Sequence, residues 1–223
     1  MTDPLPAPAN GPKPAVVIRP GRLRDVPGLV RFYMGLSPEA RYRFHPFPFH
    51  RAVITPLYTT ILLAQTVYGR WMGRVPRLLV GLVVARLEGR PEIVGYGTMR
   101  GVVWKGMEPR VRFGFVVGDG FRGYGIGPQL LRGLSVIAVG YGMRHEIGAV
   151  FKSDTVAIRA LEKFGVRFFE TDYIDPRAPK EKNLWTEGDL HEILRLIPPP
   201  ENSPDHALVN PSWKFREVGR HEP

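Results

Sequence analysis

The sequence predicts an α+β domain with one central sheet and helices on its faces. Three observations predict it. Hydrophobic periods of two and of about 3.6 alternate along residues 16–197. Two Val- and Leu-rich runs flank Glu88-Gly89-Arg90-Pro91, the pattern of an antiparallel hairpin. A glycine-rich turn then joins a strand to a long apolar helix.

Val16-Val17-Ile18 reads as a short apolar strand. Asp25 is expected to cap the following helix, with Pro27 tolerated in its first turn. Val26, Leu29, Val30, Tyr33 and Leu36 recur at helical spacing and give that helix one buried face. Ser37-Pro38-Glu39 restarts a helix, with Ser as the cap and Pro at the first position. Thr55–Tyr68 is a further apolar helix. Leu78–Leu87 and Ile93–Val103 form the hairpin, and Arg110–Val117 continues it as a third strand after Lys105-Gly106-Met107-Glu108-Pro109.

Beyond the glycines, Ile126, Leu130, Leu134, Ile137, Ala138 and Tyr141 share a helix face. Glu146–Phe151 is a strand, and Ser153–Phe164 a helix ended by Gly165. Arg167–Tyr173 is expected to be the last strand, followed by a weaker helix over Asp189–Ile197. Residues 1–14 read as a flexible Pro-rich leader, 15–197 as a single domain and 198–223 as a Pro-rich tail. Trp213 and Phe215 in that tail are candidates for docking onto the body.

Hydrophobic residues at 43% and charged residues at 23% exclude wholesale disorder. No run of 18 apolar residues exists, and the N-terminus lacks the pattern of a signal peptide. A cytoplasmic, membrane-free protein is the expectation. The absence of cysteine excludes disulfides, thiolate metal sites and a Cys nucleophile. His45, His50, His145 and His191 show no close paired spacing, so no metal site is expected.

Residues 1–166 carry 23 Lys and Arg against 10 Asp and Glu, whereas 167–223 carry 8 against 11. A basic body attracts polyanions, either nucleic acid or a phosphorylated cofactor. Only 7 of the 31 basic residues are Lys, so an Arg-heavy surface unrelated to any ligand is an equal reading of the charge.

Gly118-Asp119-Gly120-Phe121-Arg122-Gly123-Tyr124-Gly125-Ile126-Gly127 is the most informative stretch. Glycine lets the backbone approach a ligand and adopt positive φ. At the head of a helix, N–H groups and the dipole favour an anion, so the turn is expected to cradle phosphate. Gly118, Gly120 and Gly123 also satisfy the dinucleotide fingerprint. That motif normally has an acidic residue at the end of the next strand, where Val150-Phe151-Lys152 offers none. A purely structural turn is the third reading.

Here the sequence resembles the GNAT superfamily of N-acetyltransferases. Arg122-Gly123-Tyr124-Gly125-Ile126-Gly127 matches the family signature R/Q-x-x-G-x-G/A, with Val117 at the apolar position five before the Arg. Ala157–Val166 is similar to the family's A-I-x-x-Y-E-K-L-G-F segment. Leu36–Phe44 is similar to LSPESRYxRF, a segment of protein-lysine acetyltransferase relatives. The resemblance covers residues 16–175. It implies a GNAT fold: a mixed, mostly antiparallel sheet, splayed between the strand before the glycine turn and the next strand. It further implies acetyl-CoA as co-substrate and an amine, either a protein lysine or a small amine, as acceptor. The implied cofactor contacts are the diphosphate on the amides of Arg122, Gly123, Tyr124, Gly125, Ile126 and Gly127, pantetheine along Phe115, Val116 and Val117, and Asp154 at the position of a frequent Asn.

The family's usual acid–base pair is missing. Arg112 stands where a Glu base is expected and Leu161 where a Tyr acid is expected. Asp154, Glu108, His145, Glu146 and Tyr173 are weak substitutes, and the catalytic residues stay unassigned from sequence. Arg41–Arg51 is dense in aromatic and basic residues and borders the implied acceptor cleft; packing under the helices is its plainer reading. The expected activity is direct attack of an amine on a bound thioester. The alternatives are a non-catalytic acyl-CoA-binding regulator on the same fold and, less favoured, a nucleic-acid-binding protein.

Overall fold

The computed structural model describes residues 15–44, 50–68, 80–102, 108–174 and 179–199. In chain order the elements are β1 (Val16–Pro20), α1 (Val26–Met34), α2 (Pro38–Arg43), α3 (Arg51–Tyr68), β2 (Val80–Leu87), β3 (Gly95–Val102) and β4 (Arg110–Val117). There follow α4 (Ile126–Gly140), β5 (His145–Phe151), α5 (Thr155–Glu162), β6 (Arg167–Glu170), β7 (Asn183–Asp189) and α6 (Leu190–Leu196). The strands form one sheet in the order β1-β2-β3-β4-β5-β7-β6. Every ladder is antiparallel except β4–β5.

Helices cover both faces. On one, Ile126, Leu130 and Leu134 of α4 and Ile193 of α6 pack on Val83, Ala85, Met99 and Val111 of the sheet. Gly95 and Gly97 let α4 approach: a Cβ at Gly97 would stand 2.8 Å from Leu134 Cδ1. Arg132 of α4 is buried and donates to the Leu194 carbonyl at 2.7 Å and to the Ile197 carbonyl, which ties α4 to the end of α6. On the other face, α1 and α3 bury Leu29, Tyr33, Ile54, Tyr58 and Leu62 against Leu82, Val84, Tyr96 and Val116. There the Tyr58 hydroxyl donates to that of Tyr96 at 2.7 Å, so burial leaves neither phenol without a partner.

Ser37 caps α2 as its sequence predicts, accepting the Ala40 N–H at 3.1 Å. Asp25 does not cap α1. Its carboxylate is 1% exposed and takes both Arg19 nitrogens at 2.7 Å, Arg86 at 3.1 Å and the Arg22 N–H at 2.8 Å. Two arginines from neighbouring strands outbid the helix N-terminus because a buried carboxylate needs charge as well as N–H donors.

Helix α3 begins one turn before the expected Thr55, because Pro56 lies inside it rather than at its start. The expected strand 167–173 ends at Glu170, and it is not the last. Strand β7 lies between β5 and β6, pairing with both. Its buried positions are Asn183, Thr186 and Gly188, so no apolar alternation marks it in the sequence. Residues 1–14 and 200–223, including Trp213 and Phe215, lie outside the described residues, as do 45–49 and 103–107. No described helix is long and apolar enough to cross a membrane.

Candidate functional site

Strands β4 and β5 pair at only three positions, Arg110–Arg112 against His145–Ile147. Beyond Ile147 they part, although β4 runs on to Val117 and β5 to Phe151. The side of β4 that borders this gap follows from its other neighbour. The Gly118 N–H bonds to the Val94 carbonyl on the β3 side, and backbone groups alternate along a strand. Arg112, Gly114 and Val116 therefore direct their amides to β3. Phe113, Phe115 and Val117 direct theirs into the gap. Of the expected pantetheine contacts, Phe115 and Val117 present their main chain to the opening, and Val116 its neighbour's side only.

At the top of the gap the chain turns on its glycines. A short 3-10 turn, Asp119–Phe121, precedes Arg122, and Gly123 and Gly125 both take positive φ, +83° and +76°. A Cβ on either would meet no protein atom within 4 Å, so the space above the turn is open. The ladder of α4 opens with the Gln129 N–H on the Gly125 carbonyl, leaving the N–H groups of Ile126 and Gly127 ahead of it. Pro128 contributes no donor at all. The Arg122 side chain turns aside to Asp119, 2.7 Å away, while Asp119 also accepts the Ser37 N–H. Tyr124 and Ile126 pack their side chains into the core. The turn thus presents main chain and a helix N-terminus, with side chains folded back. That is the form of an anion seat.

The mouth of the gap on the α1 side is bridged by α2. Tyr42 stacks on Phe151 of β5 with ring centroids 5.6 Å apart. Arg43 reaches Asp154 at 3.0 Å, and the same Asp154 oxygen accepts the Ala157 N–H as the cap of α5. Asp154 is therefore committed to a cap and an ion pair.

The ionisable residues at the base of the fork divide between the two faces. Glu146, paired with Val111, lies on the α4/α6 side: its Cγ stands 3.3 Å from the Cβ position of Gly188, beside Ile193. It is 5% exposed, and no described cation is within ion-pairing distance. Burial pushes its carboxyl up to about 8, against the opposing Thr186 hydrogen bond and the Arg112 charge, with Glu187 adding to the rise. Arg112 lies on the opposite face, its guanidinium 6.0 Å from the Trp185 ring centroid. His145 stands 3.7 Å from Glu108. Leu161 is half-buried against the core and Tyr173 is exposed. Trp185, Thr186 and Glu187 escape sequence reasoning because their strand does. No group of three His, Asp or Glu among the described residues is arranged to hold a metal.

Residues 46–166, more than half of the chain, match the Acetyltransferase (GNAT) family. The chain belongs to that family. Solved structures share its fold. The ribosomal-protein-S5-alanine acetyltransferase of Vibrio fischeri superposes with a TM-score of 0.64 at 12% identity, over 78% of this chain and 93% of that one. A putative acetyltransferase of Salmonella typhimurium, solved with acetyl-CoA, gives 0.60 at 16% identity, over 79% and 94%. The ribosomal-protein-alanine N-acetyltransferase of Brucella melitensis gives 0.59 at 18%, over 78% and 99%. No curated protein matches the sequence.

For a GNAT acetyltransferase the expected co-substrate is acetyl-CoA, and the geometry fits it. An open glycine turn at a helix N-terminus suits a diphosphate. A strand edge that leaves its neighbour suits the amides of a pantetheine arm, which can pair with it as a further strand would.

Proposed function

We propose that this GNAT protein transfers the acetyl group of acetyl-CoA to an amine by direct attack within a ternary complex. One observation carries the reading: the gap between β4 and β5 opens directly beneath the positive-φ turn at Gly123 and Gly125. In this reading the amides of residues 122–127 hold the diphosphate, and the main chain of Phe115 and Val117 aligns the arm. A gap-facing N–H of β4 polarises the thioester carbonyl as charge develops on its oxygen. Holding both reactants in line supplies the larger part of the acceleration. Asp154 contributes by fixing the start of α5 and the position of Arg43.

An ammonium cannot attack, so a proton must leave first. Arg112 occupies the family's usual base position and cannot take it. We assign the role to Glu146, the buried carboxylate at the fork, acting through water; its raised pKa suits a base working near neutral to mildly alkaline pH. The nitrogen attacks the carbonyl carbon, the C–S bond breaks, and the sulfur leaves as a thiolate whose basicity (pKa ~8.5) demands little acid help. The acceptor we favour is a protein lysine, on the strength of the Leu36–Phe44 similarity. Residues 15–197 act as a single domain located in the cytoplasm.

The test is calorimetric titration with acetyl-CoA followed by thiol release over an amine panel. Binding with release supports transfer. Binding without release from any amine would replace it with the regulator reading, and no binding would refute both.

A further inference from the structure

The outer face of α3 differs from the rest of the surface. Charged residues make up 23% of the chain, yet none lies between Ala52 and Tyr68. Ile54, Tyr58 and Leu62 turn inward and are buried. Ala52, Pro56, Thr59, Leu63 and Thr66 turn outward, all of them exposed. Their alternating intervals of four and three residues are those of a helix–helix seam. Val53 and Leu63, 45% and 49% exposed, give the face apolar bulk. Leu23, also exposed, extends it from the 3-10 turn before α1; Gln65 of α3 holds that segment by donating to the Gly21 carbonyl at 3.2 Å.

The threonines of this helix are satisfied without water. Thr55 donates its hydroxyl to the Arg51 carbonyl at 2.8 Å, Thr59 to that of Thr55 at 2.9 Å and Thr66 to that of Leu62 at 2.7 Å. Hydroxyls bonded back into their own helix leave no donor stranded when a neighbour covers them. The helix ends point to the identity of that neighbour. Arg51 opens α3, where the dipole disfavours a cation; the first turn holds no acid and the last turn no base. An antiparallel copy of α3 brings each Arg51 to the carbonyl end of the other helix, which suits both ends. A parallel copy sets the two Arg51 side by side. Over the whole chain a net charge of +10 repels a second copy, and the uncharged stripe is a place where two such bodies meet without that repulsion.

We propose that the protein forms a two-fold homodimer through the outer face of α3, with the two helices antiparallel. The inference stands apart from the acetyl-transfer reading. Thr59 then lies near the two-fold axis, and the Ala52 end of one helix faces the Thr66 end of the other. An 18-residue helix is about 27 Å long, so the stripe with Leu23 makes an interface at the small end of the stable range. Association in the micromolar range is the expectation. Helix α3 packs over β2, two strands from β4, so the contact leaves the glycine turn and the gap open.

Sedimentation equilibrium of the full chain is expected to give the mass of one chain at about 1 µM and to approach twice that mass above about 100 µM. Leu63→Lys sets two cations in the seam and should weaken association at least about tenfold. Its position is exposed, so the far-UV spectrum and melting temperature of the dilute protein should stay at the parent values. The chain has no cysteine, so a single introduced thiol reports this contact alone. With a short thiol-to-thiol crosslinker, Thr59→Cys should join to its own copy. Ala52→Cys should not, because its two thiols lie about 20 Å apart, but a mixture of Ala52→Cys and Thr66→Cys should. One chain mass at every concentration, an unweakened dimer in Leu63→Lys, or self-crosslinking of Ala52→Cys as fast as that of Thr59→Cys would overturn the proposal. A monomer that instead floats with phosphatidylcholine vesicles, and loses them in Leu63→Lys, would overturn it in favour of a membrane contact.

Discussion

Arg43 and Asp154 are joined across the mouth of the fork, 3.0 Å apart, although 110 positions of chain separate them. Asp154 serves two partners with one oxygen, the Arg43 guanidinium and the Ala157 N–H. Removing it should therefore cost more than removing Arg43. Asp154→Ala is expected to destabilise by about 1–2 kcal/mol through the lost cap and pair. Arg43→Ala, which loses its partly exposed pairs with Asp154 and Glu39 but no cap, should cost under about 1 kcal/mol. Denaturant titration of both variants and the double variant checks this. In the double variant the two losses should not add, because the pair is counted in each.

Gly125 separates the demands of fold and ligand. Gly125→Ala places its Cβ in open space but at φ +76°, so it should lower stability by about 1 kcal/mol and weaken CoA binding moderately. Gly125→Asp carries the same backbone strain and adds a negative charge where the diphosphate rests. It should abolish detectable binding. Melting temperatures of the two variants should lie close together while calorimetry sets them far apart. An Asp variant that binds acetyl-CoA like the parent would show the seat to be elsewhere.

The limits of sequence reading here have physical causes. Strand β4 is legible to the residue, and the glycine turn and the apolar face of α4 are legible with it. A Val- and Phe-rich run, glycines clustered at a turn and a 3.6-residue apolar stripe each leave a strong local signal. Helix α4 stops one residue short of Tyr141, the last residue of the expected face. Asp25 is misread because its partners, Arg19 and Arg86, lie on different strands, and no local pattern announces a buried ion cluster. Strand β7 is invisible because its buried positions are Asn183, Thr186 and Gly188, small or polar groups, the last two of which lie beside Glu146. The uncertainty over the base has the same root: Glu146 looks like an ordinary strand-opening residue until β7 and α6 are in place to bury it.

Asp25 makes the N-terminal half sensitive to acid. Burial pushes its carboxyl up, but Arg19, the Arg22 N–H and Arg86 together hold it below its ordinary 3.8. A carboxylate with a depressed folded value contributes stability in full above the unfolded value and loses it as pH falls through the folded one. Asp25→Asn should cost about 2–3 kcal/mol at neutral pH, less than a fully enclosed pair because Arg19 and Arg86 still reach water. It should also flatten the acid limb. Unfolding free energies from pH about 5 downward should show the parent falling toward the variant and the two converging.

Glu146 gives the opposite sign and the sharpest test of the chemistry. Its folded value, raised to about 8 from an ordinary 4.5, means that the folded protein holds this proton more tightly than the unfolded chain. The resulting stability is complete below the ordinary value, declines as pH climbs, and is gone once pH passes about 8. The Thr186 hydrogen bond and the charges of Glu187 and Arg112 across the sheet also act on the carboxyl, and none of them reverses the sign. Glu146→Gln keeps the shape and cannot ionise. It should match the parent near pH 4 and exceed it by a few kcal/mol at mildly alkaline pH. If Glu146 also accepts the amine's proton, the same substitution should lower kcat by about 100-fold, in the range of a lost general base, and remove the inflection of the rate near pH 8. CoA affinity should hold. A variant that gains alkaline stability yet keeps the parent's rate profile would make Glu146 a structural carboxyl, and the proton would leave by another route.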